Sequence, residues 1–263
     1  TLAAQRFLQS HVGGSAFLGG ISKNYGTNLL LSPASPYTVI EADEFDRSFH
    51  WLSPYMSVIT STDPDHLDIY GTREAYLESV RHNTTLIQPG GALIIRKGLA
   101  LQPDVTGRKN LTYSRDEGDF HAENIRIGNG EIVIDFIAPA TRINESLLGV
   151  PIGINIENGV AAMARAHLNG GTDEEIKQGM AGFRGVDRRF DFKIKTDRLV
   201  FLSDYAHHPA EIAQSVKSIR EFTGTEDNGY FQPHLYTRTR DFYKDFADSL
   251  SLLDEVILTE IYP

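Results

Sequence analysis

A chain of 263 residues that is 41% hydrophobic and 23% charged holds enough apolar material for one or two cores, and its length suggests about two domains. Thirty-five acidic against 25 basic residues give a net charge of −10, which argues against a nonspecific binder of nucleic acid or of an anionic membrane. Cysteine is absent, so disulfide and thiolate chemistry are excluded, in keeping with a reducing compartment. No apolar run approaches the ~18 residues of a membrane-spanning helix.

The opening "TLAAQRFLQSHVGG" lacks the pattern of a signal peptide, and its apolar spacing predicts a helix over residues 2–10. "TNLLL" (27–31), "YTVI" (37–40) and "MSVIT" (56–60) read as strands, and "REAYLESVRH" (73–82) as an amphipathic helix. "GGALIIRK" (90–97) starts another strand after a Pro-Gly-Gly turn; strand, helix, strand at this spacing points to parallel βαβ units. "ENIRIGNGEIVIDFI" (123–137) alternates on both sides of Gly128-Asn129-Gly130, which predicts a β-hairpin. "NGVAAMARAHLNGG" (158–171) reads as a helix stopped by glycine, and Thr172 with Glu175 has capping-box spacing. From about residue 198, "RLVFLS", "PAEIAQSVKSIREF", "GYFQ", "TRDFYKDFADSL" and "EVILTEIY" alternate strand and helix, the order of half a doubly wound sheet. The stretch "GFRGVDRRFDF" (182–192) marks the domain boundary.

In an open α/β sheet, ligands bind beyond the carboxyl ends of the strands. Two acidic clusters fall there: "EADEFD" after "YTVI", and "STDPDHLD" after "MSVIT". Glu41 and Asp43 are expected near Asp65 and His66 in space, where one carboxylate and one imidazole would suit Mg²⁺ completed by phosphate oxygens and water, or these are solvated loop acids and a capped helix start. Asp63, His66 and Asp68 also allow a hydrolytic two-metal site. Asn155 and Asn158, three apart at a helix start, either read an adenine edge or act as caps and turn formers. "SDYAHHPAEI" sets Asp204, Tyr205, His207 and His208 between a strand and a helix, where contact with substrate is favoured over zinc ligation. "FQPHLYTRTR" repeats that placement with Arg238, suited to a carboxylate or phosphate, or to a polar loop with local partners. No G-x-x-x-x-G-K-[ST] loop occurs anywhere in the chain.

In combination, "FLGGISKNYG", "EADEFDRSF", "ITSTDPDHLDIYG", "FRGVDRRFDF", "DYAHHPAEI" and "FQPHLYTRTR" resemble the Mur ligase family, in the family's order and across nearly the whole chain. The pairing of "DPDHLD" with "DYAHHP" resembles the branch that joins L-alanine to UDP-N-acetylmuramate. The resemblance implies an α/β architecture: a central, mostly parallel-sheet ATPase-type domain with a β-hairpin region over residues 1–187, then a partial Rossmann-like doubly wound domain over 188–263.

It further implies a cytoplasmic ATP-dependent carboxylate–amine ligase of peptidoglycan precursor synthesis. The expected cofactors are ATP and Mg²⁺, with no nucleic-acid or membrane partner. Glu41 and His66 are implied as Mg²⁺ ligands and, with Arg189, as catalytic. Asn155, Asn158, Arg189 and Asp204 are implied at the nucleotide, and Tyr205, His207 and Arg238 on the alanine side. Ile154 and Leu235 stand where the family often has His and Arg, which puts adenine contact and alanine carboxylate binding in question. The family's UDP-binding domain and phosphate loop are expected to precede this stretch, with the loop's last threonine at Thr1, and the final part of the C-terminal domain to follow it. By itself the chain is expected to be inactive.

Overall fold

The computed structural model describes residues 10–63, 67–128, 131–196, 198–223 and 226–262. The helix expected over 2–10 falls almost entirely outside them. The chain begins with β1 (Ser15–Ser22), β2 (Thr27–Leu30) and β3 (Thr38–Ile40), with β1 central, antiparallel to β2 and parallel to β3. Strand alternation turns Ala16, Leu18 and Val39 inward into a small core.

A 3-10 turn, Ser48–Trp51, leads to β4 (Met56–Ile59), α1 (Leu67–Tyr70), α2 (Arg73–Thr85), β5 (Ala92–Arg96) and β6 (Lys109–Tyr113). These strands form a parallel sheet in the order β4-β5-β6. β5 is buried on both faces, which explains its unbroken apolar sequence: Ile94 enters one core, Leu93 and Ile95 another. Helix α2 starts on Thr72, whose side chain accepts the Ala75 N–H at 3.1 Å, and it runs three residues past the expected end.

The expected hairpin is β7 (His121–Gly128) against β8 (Glu131–Ala138), extended by β9 (Thr141–Leu147) into an antiparallel sheet. Its apolar face packs on α3 (Ile154–Leu168), whose Ile156, Val160, Met163 and Ala164 are buried. α4 (Asp173–Ala181) follows with the predicted capping box complete: Glu175 N–H donates to Thr172 Oγ1, and Thr172 N–H to Glu175 Oε2.

The last part holds β10 (Asp191–Lys195), β11 (Val200–Ser203), α5 (Pro209–Thr223), β12 (Asn228–Phe231), α6 (Tyr236–Asp241), α7 (Tyr243–Leu250) and β13 (Glu255–Leu258). Its core is Ile212, Val216, Phe246 and Leu250. β12 and β13 pair in parallel, while β11 pairs antiparallel with β10, the strand just before it. A short turn makes that local pairing cheap in loop entropy. The helix expected over 239–250 is broken at Phe242, whose ring packs edge-on against His208 at 5.2 Å; a tertiary contact overrides the helical run there.

Candidate active site

A cleft of about 580 Å³ opens among β3, β4, α3, the 183–190 segment and the turn from β11 into α5. That volume lies within the roughly 300–1,000 Å³ usual for small-molecule sites. Glu41, Asn155, Asn158, Arg189, Asp204, Tyr205 and His207 all line it, although they are spread over more than 160 residues of sequence. Arg238 stands apart on α6 and is not among the lining residues. His66 lies outside the described residues.

Glu41 follows β3 directly, at its carboxyl end. Its backbone N–H donates to Phe17 O at 2.9 Å, continuing the parallel ladder with β1. Its carboxylate accepts the Gly19 N–H at 3.2 Å. A Cβ on Gly19 would stand 2.6 Å from Glu41 Oε1, so the absent side chain is what makes room for the carboxylate. The rest of the acidic cluster serves the loop. Asp43 accepts the Phe45 N–H at 3.0 Å, Asp46 accepts the Ser48 N–H at 3.0 Å, and the Glu44 carbonyl accepts the Tyr70 hydroxyl. Of the four acids, Glu41 is the one that lines the cleft.

α3 begins four residues earlier than its sequence indicated, so both asparagines sit within its first turns. Asn155 donates from Nδ2 to Val150 O at 3.0 Å, and Asn158 Nδ2 lies 3.5 Å from Asn155 Oδ1. Asn155, Asn158, Ala162 and Arg165 follow the helical period along the wall of the cleft. Burial pushes the Arg165 guanidinium down to about 10, still well above neutral pH, so it remains a cation. Sequence reasoning missed Arg165; its signal was an arginine inside "AAMARA", in phase with the two asparagines. Ile154 adds an apolar patch to the same wall.

The 183–190 segment is stitched to the β1–β2 turn. Lys23 N–H donates to Gly185 O at 3.0 Å, Asn24 Nδ2 to Gly182 O at 2.7 Å, and Arg184 N–H to Asn24 Oδ1 at 2.9 Å. Arg188 and Phe190 have positive φ, 63° and 45°, without being glycine. Each such residue costs on the order of 1–3 kcal/mol and persists only where its surroundings hold it. Asp191, buried just after them, accepts from Lys193, Lys23 and the Arg188 N–H. Burial alone would raise its carboxyl, but these donors outweigh that and hold it at about 2.

Asp204 accepts the N–H groups of Tyr205 at 2.8 Å and Phe190 at 3.2 Å, and the hydroxyl of Ser215. It therefore ties the segment carrying Arg189 to the start of α5. Glu211 accepts the N–H groups of His207 at 3.0 Å and His208 at 3.2 Å, capping α5 from inside the helix. The Tyr205 and His207 rings meet edge to face at 5.4 Å.

Among the described residues, no three His, Cys, Asp or Glu side chains gather into a metal cage. Glu41 offers one hard carboxylate, beside a glycine, in the lining of a cleft with two arginines. That donor set fits Mg²⁺, which keeps several waters and takes one or two carboxylates plus ligand phosphates.

The fold and the cleft define an α/β protein with a cleft in which charged and amide side chains stand among apolar ones. A family model described as the Mur ligase middle domain matches residues 20–166, and the chain belongs to the Mur ligase family. The UDP-N-acetylmuramate–L-alanine ligase of Phocaeicola vulgatus is 72% identical over 265 residues, covering 100% of this chain and 58% of the relative. That of Parabacteroides distasonis is 60% identical, again over 100% of this chain and 58% of the relative. The crystal structure of the UDP-N-acetylmuramate-alanine ligase of Thermotoga maritima matches with a TM-score of 0.82 at 25% identity, over 99% of this chain and 58% of that one. The chain thus spans somewhat more than half the length of the relatives it matches.

Proposed function

We propose that this chain supplies the nucleotide- and amino-acid-binding parts of a cytoplasmic, ATP-dependent ligase that joins L-alanine to UDP-N-acetylmuramate. The observation that carries the reading is the shared cleft, which Glu41, Asn155, Asn158, Arg189, Asp204, Tyr205 and His207 all line. The match of this whole chain to relatives bearing that name, at 72% and 60% identity, supports it. The domain division at residues 187 and 188 belongs to the same proposal, supported by a separate core, Ile212, Val216, Phe246 and Leu250, beyond it.

In this reading Asn155 and Asn158 hold the adenine edge, with Ile154 as its apolar floor. Arg189 faces the phosphates, and Asp204 fixes the segment that carries it. Glu41, with His66, holds Mg²⁺, which when bound neutralises phosphate charge. The muramyl carboxylate takes the γ-phosphoryl group of ATP to give an acyl phosphate and ADP. The alanine amine then attacks the acyl carbon, and phosphate leaves from the tetrahedral adduct. The protein's share is positioning and charge neutralisation. Tyr205, His207 and Arg238 stand on the alanine side; an arginine grips a carboxylate in a two-pronged contact.

The test is phosphate release by the complete protein with ATP, Mg²⁺, UDP-N-acetylmuramate and L-alanine. Release that requires both co-substrates supports the reading. ATP hydrolysis indifferent to the amine would identify a metal-dependent hydrolase instead. A second reading concerns this stretch in isolation. It contains no G-x-x-x-x-G-K-[ST] loop, so alone it is expected to bind nucleotide or metal weakly and turn nothing over.

A further inference from the structure

Arg189 is the middle of three residues whose outer members, Arg188 and Phe190, both have left-handed backbones. Neither is a residue type that favours that region, so the conformation is imposed from outside the tripeptide. Two carboxylates impose it. The Arg188 N–H donates to Asp191 Oδ2 at 3.3 Å, and the Phe190 N–H to Asp204 Oδ1 at 3.2 Å. The β10–β11 register sets Asp191 opposite Ser203, the neighbour of Asp204, so both clamps stand at the base of one hairpin.

The Asp191 clamp is anchored further away. Its side chain is 1% exposed and is held by Lys193 on its own strand and by Lys23 from the β1–β2 turn. The same turn binds Gly182, Arg184 and Gly185 through Lys23 and Asn24, and Asp187 N–H donates to Ile21 O at 3.0 Å. Lys23 is therefore the only side-chain cation, among the described residues, that joins the first strands of the chain to the loop carrying Arg189 through Asp191.

We propose that Lys23 and Asp191 are positioning residues: they fix the left-handed loop so that Arg189 is presented to the phosphate-bearing ligand in the cleft. The inference rests on the nucleotide role given to Arg189 above. Neither residue lines the cleft. Their effect is therefore expected through Arg189 alone, on nucleotide affinity and not on the amino acid.

A double-mutant cycle in the complete protein tests this. Lys23→Met is expected to raise the ATP KM about tenfold, as misplacement of a binding group does, with the alanine KM changed less than about twofold. In an Arg189→Met background the same change is expected to add less than about twofold, because the group it positions is gone. Lys23→Arg keeps charge and donor and is expected to restore the ATP KM. If Lys23→Met does not fold, Lys23→Gln, a smaller perturbation, decides the same question. Effects that add in full across the cycle, or equal rises in both KM values, overturn the proposal. So does an unchanged ATP KM in folded Lys23 variants while Arg189→Met raises it. If Arg189→Met itself leaves the ATP KM unchanged, the nucleotide role of Arg189 fails and this inference with it.

Discussion

Gly19 and Glu41 face each other across the β1–β3 ladder: the Gly19 N–H donates to Glu41 Oε2 at 3.2 Å, and a methyl group on Gly19 would stand 2.6 Å from Oε1. Because the crowded atom is the end of a flexible, exposed side chain, Gly19→Ala should cost less than about 1 kcal/mol of stability. It should still swing the carboxylate away. The expectation is a loss of kcat/KM for ATP of about 10- to 100-fold, with Tm little changed. Wild-type kinetics in the Gly19→Ala variant would show that the carboxylate's position is unimportant.

Within the acidic cluster, Glu41→Gln should abolish most activity, since a neutral amide is a poor ligand for a hard dication. Asp43→Asn should matter less, because its carboxylate serves the Phe45 N–H in the loop. Steady-state rates of the two variants at saturating Mg²⁺ decide this. The reverse ranking would mean that Asp43 is the functional acid.

The residues that answered this question were only partly legible in the sequence. Glu41 stood at the end of a β-branched run, and the sheet rule put it at the ligand edge; Asp204, Tyr205 and His207 were found in the same way. The strand that cradles Glu41 was not found, since paired glycines in "SAFLGGIS" disguise its alternation. β9, "TRINESL", was missed because it is mostly polar and carries a left-handed Glu145 where its register shifts. The start of α3 was placed four residues late because Pro151 and Gly153 read as a turn. Lys23 and Asp191 left no local signal at all, since their pairing joins positions 168 residues apart.

Asp191 also predicts a pH dependence. Its carboxyl is held at about 2 in the folded chain, below the ordinary value of 3.8. The resulting stability, on the order of 2 kcal/mol, is present above about pH 4 and is lost as pH falls through about 2. Asp191→Asn should lower stability near neutral pH by about that amount and flatten the pH 4 to 2 limb of the unfolding curve. Denaturant midpoints across that range measure it. An unchanged limb would mean that Asp191 titrates normally in the folded state.

Arg238 lies on α6, away from the lining of the cleft. Arg238→Lys should therefore leave the ATP KM within about twofold; if Arg238 grips the alanine carboxylate as proposed, the same change should raise the alanine KM well above its wild-type value, because a lysine loses the bidentate grip. Equal changes in both constants would assign Arg238 to the framework or to the nucleotide.

The account turns on the cleft between Glu41 and α3 being the nucleotide site. The most direct measurement is a crystal structure of the complete protein with Mg²⁺ and a non-hydrolysable ATP analogue. The predicted result places the adenine within hydrogen-bonding distance of Asn155 or Asn158, with the phosphates beside Glu41 and Arg189. An ordered nucleotide bound elsewhere, out of contact with these four side chains, would contradict the account.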